Sequence, residues 1–198
     1  MKENPIRSLP GIPFLLGVLA ISALAAWLFI NGVIAAKQGA GGAPAMIIGG
    51  LLLGLVAFLS LIGLYTVQPN QAAVISLFGK YVGTVKENGL RWNNPFFSKK
   101  KISQRVRNFE SSKLKVNELD GSPIEIAAVI VWQVVDASEA VYNVDDYESF
   151  VHIQSESALR TMATSYPYDQ HEDGQVALRS HAAEVSQHLK DELAERLA

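Results

Sequence analysis

The sequence predicts an α+β fold: an N-terminal two-helix transmembrane hairpin, then an antiparallel β-rich base plus helices, with the chain ending in an amphipathic helix. Three observations predict it. Two long runs lack any charge, short β-prone segments broken by turn residues follow them, and helical periodicity with capping signals fills the last third.

Residues 12–36 and 46–67 hold no Asp, Glu, Lys or Arg. At about 1.5 Å rise per residue, either run as a helix crosses roughly 30 Å of hydrocarbon. We therefore place spans at about 12–36 and 45–67, a membrane hairpin over 1–67 and a folded domain over 68–198. The hydropathy is concentrated here although the chain average is only +0.17. Glycines inside both runs suit close helix packing in lipid, and the connector KQGAGGAP is short enough for a hairpin. A secretory leader ending near Ala43-Pro44-Ala45 is the competing reading; Pro44 and the length of the apolar run count against it.

Charge is asymmetric. Residues 1–109 carry 11 Lys or Arg against Glu3 and Glu87, whereas 110–198 carry 6 against 17 acidic residues. Lys80, Lys86, Arg91, Lys99, Lys100, Lys101, Arg105 and Arg107 all follow the second span, where an anionic leaflet attracts them. Lys2 and Arg7 before the first span, with only Lys37 in the connector, put both termini and the folded domain in the cytoplasm. The chain has no cysteine, so disulfides and thiolate metal sites are excluded.

From Gln71 short strands begin. Residues 73–78 and 81–85 flank a Gly79-Lys80 turn, and Glu87-Asn88-Gly89 turns the chain again before Leu90-Arg91-Trp92. Only about six residues, Thr66 to Gln71, join the second span to the strands, which holds the base close to lipid. Residues 102–109 and 113–116 are further candidate strands, and Asp120-Gly121 is a turn. In PIEIAAVIVWQVVD, Ile124, Ile126, Ala128, Ile130, Trp132 and Val134 share one face. Both faces are apolar in its middle, so this segment is expected to be one strand, central in its sheet.

Asp136-x-x-Glu139 and Asp145-x-x-Glu148 each place an acceptor before a helix and a glutamate three residues on, a variant of the capping box. The second helix is expected from about Asp146 to Ser165, ended by Pro167. After a polar turn at 169–174, Leu178, Ala182, Val185, Leu189, Leu193 and Leu197 mark an amphipathic helix.

In the order they occur, VQPNQAAVISLFGKYVGTVKENGLRWNNPF, DGSPIEIAAVIVWQVVDASEAVYNVDDY and ESALRTMAT resemble the SPFH (band 7) domain. That family contains stomatins, prohibitins, flotillins and the bacterial HflK and HflC proteins. The resemblance covers about residues 65–197 and implies an α+β domain at a membrane. It also implies assembly into homo-oligomeric rings or cages, organisation of lipid microdomains, and control of membrane proteases or other integral proteins, with a bacterial inner membrane as the expected location. It implies no enzyme activity and no cofactor. Relatives usually continue past ELAERLA with a strand and a long coiled-coil helix, so ring closure by a chain cut or shortened here is in question.

The candidate membrane-surface residues are Trp92, Phe96, Phe97, Lys99, Lys100 and Lys101. Two rings in the interface with ammonium groups on phosphates is one reading; rings filling the base of the β-domain is the other. Arg160, Leu189 and Leu193 are candidate oligomer contacts. Against them stand a Glu156–Arg160 helical ion pair and a stripe that simply covers its own sheet. His181, Glu184 and His188 share a helix face, but no HExxH arrangement occurs and a solvated face accounts for them. No nucleophile motif or phosphate loop is present, and the acidic second half disfavours nucleic acid as a partner.

Overall fold

The computed structural model describes residues 3–170 and 176–197; His171 and most of the polar turn expected at 169–174 lie outside them. The chain divides into two compact units, residues 1–105 with 135–141, and 106–134 with 142–198.

The first unit begins with a short strand, β1 (Leu9–Pro10), that runs into α1 (Gly11–Lys37); α2 (Ala43–Leu61) returns antiparallel to it. Their buried residues recur every seventh position, Gly11, Val18, Ala25 and Gly32 on α1 against Ala43, Gly50 and Ala57 on α2. A seven-residue seam keeps two gently supercoiled helices in register, and small residues let the backbones approach closely. A methyl group added at Gly50 would sit 2.9 Å from the Ala25 carbonyl oxygen. Outward-facing Leu16, Leu52 and Phe58 are all exposed, as in a helix pair solvated by something other than water.

The second helix stops at Leu61 rather than at 67, and residues 64–67 are a strand, β2 (Leu64–Val67). Gly63 at the break lets the chain pack there, because its backbone lies against Trp92 and Asn93 so closely that a Cβ would come 2.2 Å from the Asn93 oxygen. β2 pairs with β5 (Gly89–Trp92), and β1 pairs with the other edge of β5.

A second sheet has the order β4-β3-β6, from β4 (Lys80–Val85), β3 (Gln71–Leu77) and β6 (Ser98–Ser103). Ala72, Ala73, Val74 and Ile75 are all buried, so the strand covered on both faces is β3. Residues Asn4 to Ile6 run beside β4, exchanging backbone hydrogen bonds of 2.8 and 3.0 Å with Thr84 and covering that edge. Gly83 permits the approach: a Cβ there would meet Ile6 at 2.4 Å. The turn between β3 and β4 is centred on Phe78 and Gly79, with φ of 48° and 84°, one residue earlier than the sequence suggests.

In the second unit the expected long central strand is two short edge strands. β9 (Pro123–Ile126) pairs with β8 (Leu114–Asn117), and β10 (Val129–Trp132) pairs with β7 (Arg107–Glu110). At the break, Ala128 N donates to Ser111 Oγ and Ser111 N donates to the Ala128 carbonyl, both at 2.9 Å. This clasp lets the strand change partners. Ile124, Ile126 and Ala128 pack on the core, while Val129 and Val131, expected to be covered in a central strand, are exposed.

α3 (Ala137–Tyr142) starts at Asp136, whose Oδ1 accepts from Ser138 N at 2.8 Å and Glu139 N at 3.1 Å. α4 (Tyr147–Ser165) is capped by Asp146, not Asp145: its Oδ1 accepts from Glu148 N and Ser149 N. Asp146 alone can point back along the first turn, since the cap residue sits directly before it. Leu159 and Ala163 of α4, Leu114 and Val116 of β8 and Leu189 of α5 (Ala182–Leu197) form the core of this unit.

Candidate functional site at the base of the first unit

β5 gathers the base. Trp92, its last residue, is opposite Leu64 on one side and Leu9 on the other, the residues next to the end of α2 and the start of α1. The indole stacks on Phe14 of α1 with centroids 4.1 Å apart, and Nε1 donates to the Ser60 carbonyl of α2 at 2.8 Å. One side chain thus touches both helices at the same end of the hairpin, and the sheets begin there without a linker. A bilayer crossed by both helices would have residues 3–10 and the β-sheets on one side.

The paired phenylalanines divide. Phe97 packs inward against Tyr65, Val67, Ala73, Ile75 and Val85, whereas Phe96 is 73% exposed in a turn closed by Asn94, whose Oδ1 accepts from Phe96 N at 3.0 Å. The lysines divide too. Lys99 lies over the Tyr65 ring, 5.3 Å from its centroid, and its Nζ donates to the Ile62 carbonyl at 3.3 Å. A cation there satisfies carbonyls left open at a helix C-terminus and opposes the negative end of its dipole. Burial lowers the pKa of this ammonium. Lys101, on the same face of β6, reaches Thr66 Oγ1 at 3.5 Å, and strand alternation turns the exposed Lys100 the other way. The three lysines therefore do not form one patch.

The residues singled out on the helices lie in the second unit. Arg160 is exposed, and Glu156 is engaged elsewhere: Ser112 Oγ donates to its Oε1 at 2.5 Å. That bond, with Arg160 contributing a weaker long-range attraction, lowers the Glu156 pKa. Leu189 packs on its own core, and Leu193 is half-buried. Arg196 Nη1 donates to Ser157 Oγ at 3.0 Å, joining α5 to α4. In the sequence Arg107 is simply one of a basic run. It lies 5.7 and 5.8 Å from the Trp132 and Tyr147 rings and pairs with Glu148. Nothing in its spacing marks this, because the four residues come from three separate segments. Among the described residues no three His, Asp or Glu side chains are grouped to hold a metal.

Comparison with known proteins decides the family. The model of the SPFH domain / Band 7 family matches residues 65–198. The chain belongs to that family. The match begins at Tyr65, in the strand that leaves the apolar hairpin, so the SPFH domain is joined to α2 by backbone that is already part of its sheets. The chain is similar to an uncharacterised protein of Methanothermobacter thermautotrophicus, 28% identical over 148 residues, covering 74% of this chain and 45% of that one. It is also similar to the uncharacterised protein MJ0827 of Methanocaldococcus jannaschii, 25% identical over 122 residues and 61% of each chain. The SPFH chain described here thus spans about half the length of the curated relatives it matches. The family assignment and two helices long and apolar enough to cross a membrane fit a membrane-associated protein.

Proposed function

We propose that this SPFH protein is a membrane-anchored, non-enzymatic oligomeric scaffold that organises membrane microdomains and the integral proteins within them. The observation that carries this reading is the junction at Trp92, where both apolar helices end on the same β-strand. A rigid junction of this kind keeps the domain against the leaflet, where neighbouring copies meet in two dimensions. Family members generally act as scaffolds and typically oligomerise at membranes, which supports the same reading. Both termini and the SPFH domain are cytoplasmic, with the inner membrane of a bacterium as the site. Trp92, Phe96 and the exposed lysines meet the lipid surface, and the exposed Arg160 with the outer edge of the stripe at Leu193 contacts neighbouring copies.

A second reading, a regulatory subunit of a membrane protease or transporter, is favoured by one feature. An apolar groove along the hairpin, lined by Ser22, Ala25, Phe29, Gly50, Gly54 and Phe58, is open to a third helix. Native mass measurement of the protein extracted in mild detergent separates the two. A large homo-assembly supports the scaffold, and a one-to-one complex with an integral membrane protein supports the regulator.

A further inference from the structure

The turn between β3 and β4 holds a phenylalanine where such turns rarely accept one. Phe78 and Gly79 both have positive φ, 48° and 84°, the arrangement of a type I′ hairpin. Asn, Asp or Gly is favoured at the first of these positions, because a bulky side chain crowds the backbone there. The fold gives the ring nothing in return: Phe78 is 90% exposed. Its location supplies a reason. Ile75, near the end of β3, is opposite Lys99, whose ammonium lies at the carbonyl of Ile62 where α2 ends. The Phe78 turn is therefore at the end of the sheet nearest the apolar helices. Ser76 and Ser98 are the last pair of the β3–β6 ladder. Phe78 lies two residues beyond one of them and the exposed Phe96 two residues before the other. Lys80, also exposed, is the first residue after the Phe78-Gly79 turn.

We infer that Phe78 and Phe96 form a two-ring wedge that enters the headgroup and acyl boundary of a phospholipid leaflet, with the Lys80 ammonium at the phosphates. The inference rests on the reading that α1 and α2 cross the bilayer, and it assigns the second ring to Phe78 because Phe97 is committed to the core. Lipid is the occupant because this end of the sheets is continuous with outward apolar residues of the hairpin, Ile12 and Ile62. A cation beside the rings matches phosphate rather than an apolar protein groove.

The chain has no cysteine, so a nitroxide can be placed at single sites in the full chain. Phe78→Cys, Phe96→Cys, Leu52→Cys on α2 and Asn88→Cys in the turn before β5 are labelled and reconstituted in phosphatidylcholine bilayers, with and without phosphatidylglycerol. Collision rates with oxygen and with a water-soluble nickel chelate report depth. The expected result is oxygen-to-nickel ratios at 78 and 96 several-fold above that at 88 and approaching that at 52. Ratios at 78 and 96 equal to that at 88, with 52 in lipid, overturn the wedge and leave the anchor standing. A water-like value at 52 overturns both.

Discussion

Trp92 Nε1 donates a 2.8 Å hydrogen bond to the carbonyl oxygen of Ser60, and its ring stacks on Phe14. A β-strand residue thereby fastens the two apolar helices to the domain that follows them. Trp92→Phe keeps a stacked ring and removes the donor, leaving the Ser60 carbonyl without this partner. We expect a loss of about 1 kcal/mol, and about 3 kcal/mol for Trp92→Ala. Thermal unfolding in detergent, followed by circular dichroism, checks both values.

Gly63→Ala is expected to be worse than its size suggests. The added carbon would lie 2.2 Å from the Asn93 oxygen and 2.4 Å from Trp92 Nε1, so β2 and β5 must separate. Overpacking of this kind costs roughly 1 to 3 kcal/mol. Gly17→Ala, where an added Cβ meets nothing within 4 Å beyond its own stretch of helix, is the matched control and should leave the unfolding temperature unchanged or raise it slightly.

Phe78→Asn should raise stability in detergent by about 1 kcal/mol, since Asn adopts positive φ far more readily. No contact is lost because the ring is exposed. A decrease in the unfolding temperature would show that the ring supports the hairpin from within.

The two aspartate caps predict an acid limb. Ser149, through its side chain and backbone, holds the Asp146 carboxyl below its ordinary value. At Asp136 burial acts upward, but the Ser138 hydroxyl and the backbone N–H groups of Glu139, Ser138 and Glu3 outweigh it. Both pKa values are lower in the folded state. Their stabilisation is therefore present above the ordinary carboxylate value of 3.8 and lost as pH falls through the lower folded values. Asp146→Asn retains a cap and should flatten part of this dependence, whereas Asp146→Ala removes the cap and should lower stability at neutral pH. Denaturation midpoints measured from pH 7 to pH 2 test the sign.

Local signals made some of this architecture legible. Charge-free length marked α1 and α2, Asp120-Gly121 marked a turn that indeed has Gly121 at φ 87°, and Pro167 marked the end of α4 at Ser165. The misreadings concern partners. Alternation at 123–134 marked residues that share a face, but it carried no information that Ser111 would clasp Ala128 and split the strand, leaving Val129 and Val131 exposed. Hydropathy extended α2 to Val67 because Tyr65 and Val67 are apolar for another reason, the core of the first unit. Phe96 and Phe97 are adjacent in sequence and opposite in fate, because Phe96 lies in the turn closed by Asn94 while Phe97 packs on the core. Arg107 between Trp132 and Tyr147 depends on three segments meeting, which no window of sequence contains.

The central claim is that residues 11–61 pass out and back through a bilayer and return the chain to the side of its N-terminus. Single cysteines at Gln38 in the connector and at Asn117 in the SPFH domain, both exposed, test it with a membrane-impermeant thiol reagent on intact cells. With the hairpin crossing the bilayer and the SPFH domain inside, Gln38→Cys is labelled and Asn117→Cys is labelled only after the membrane is opened. Labelling of both sites, or of neither, on intact cells would contradict it.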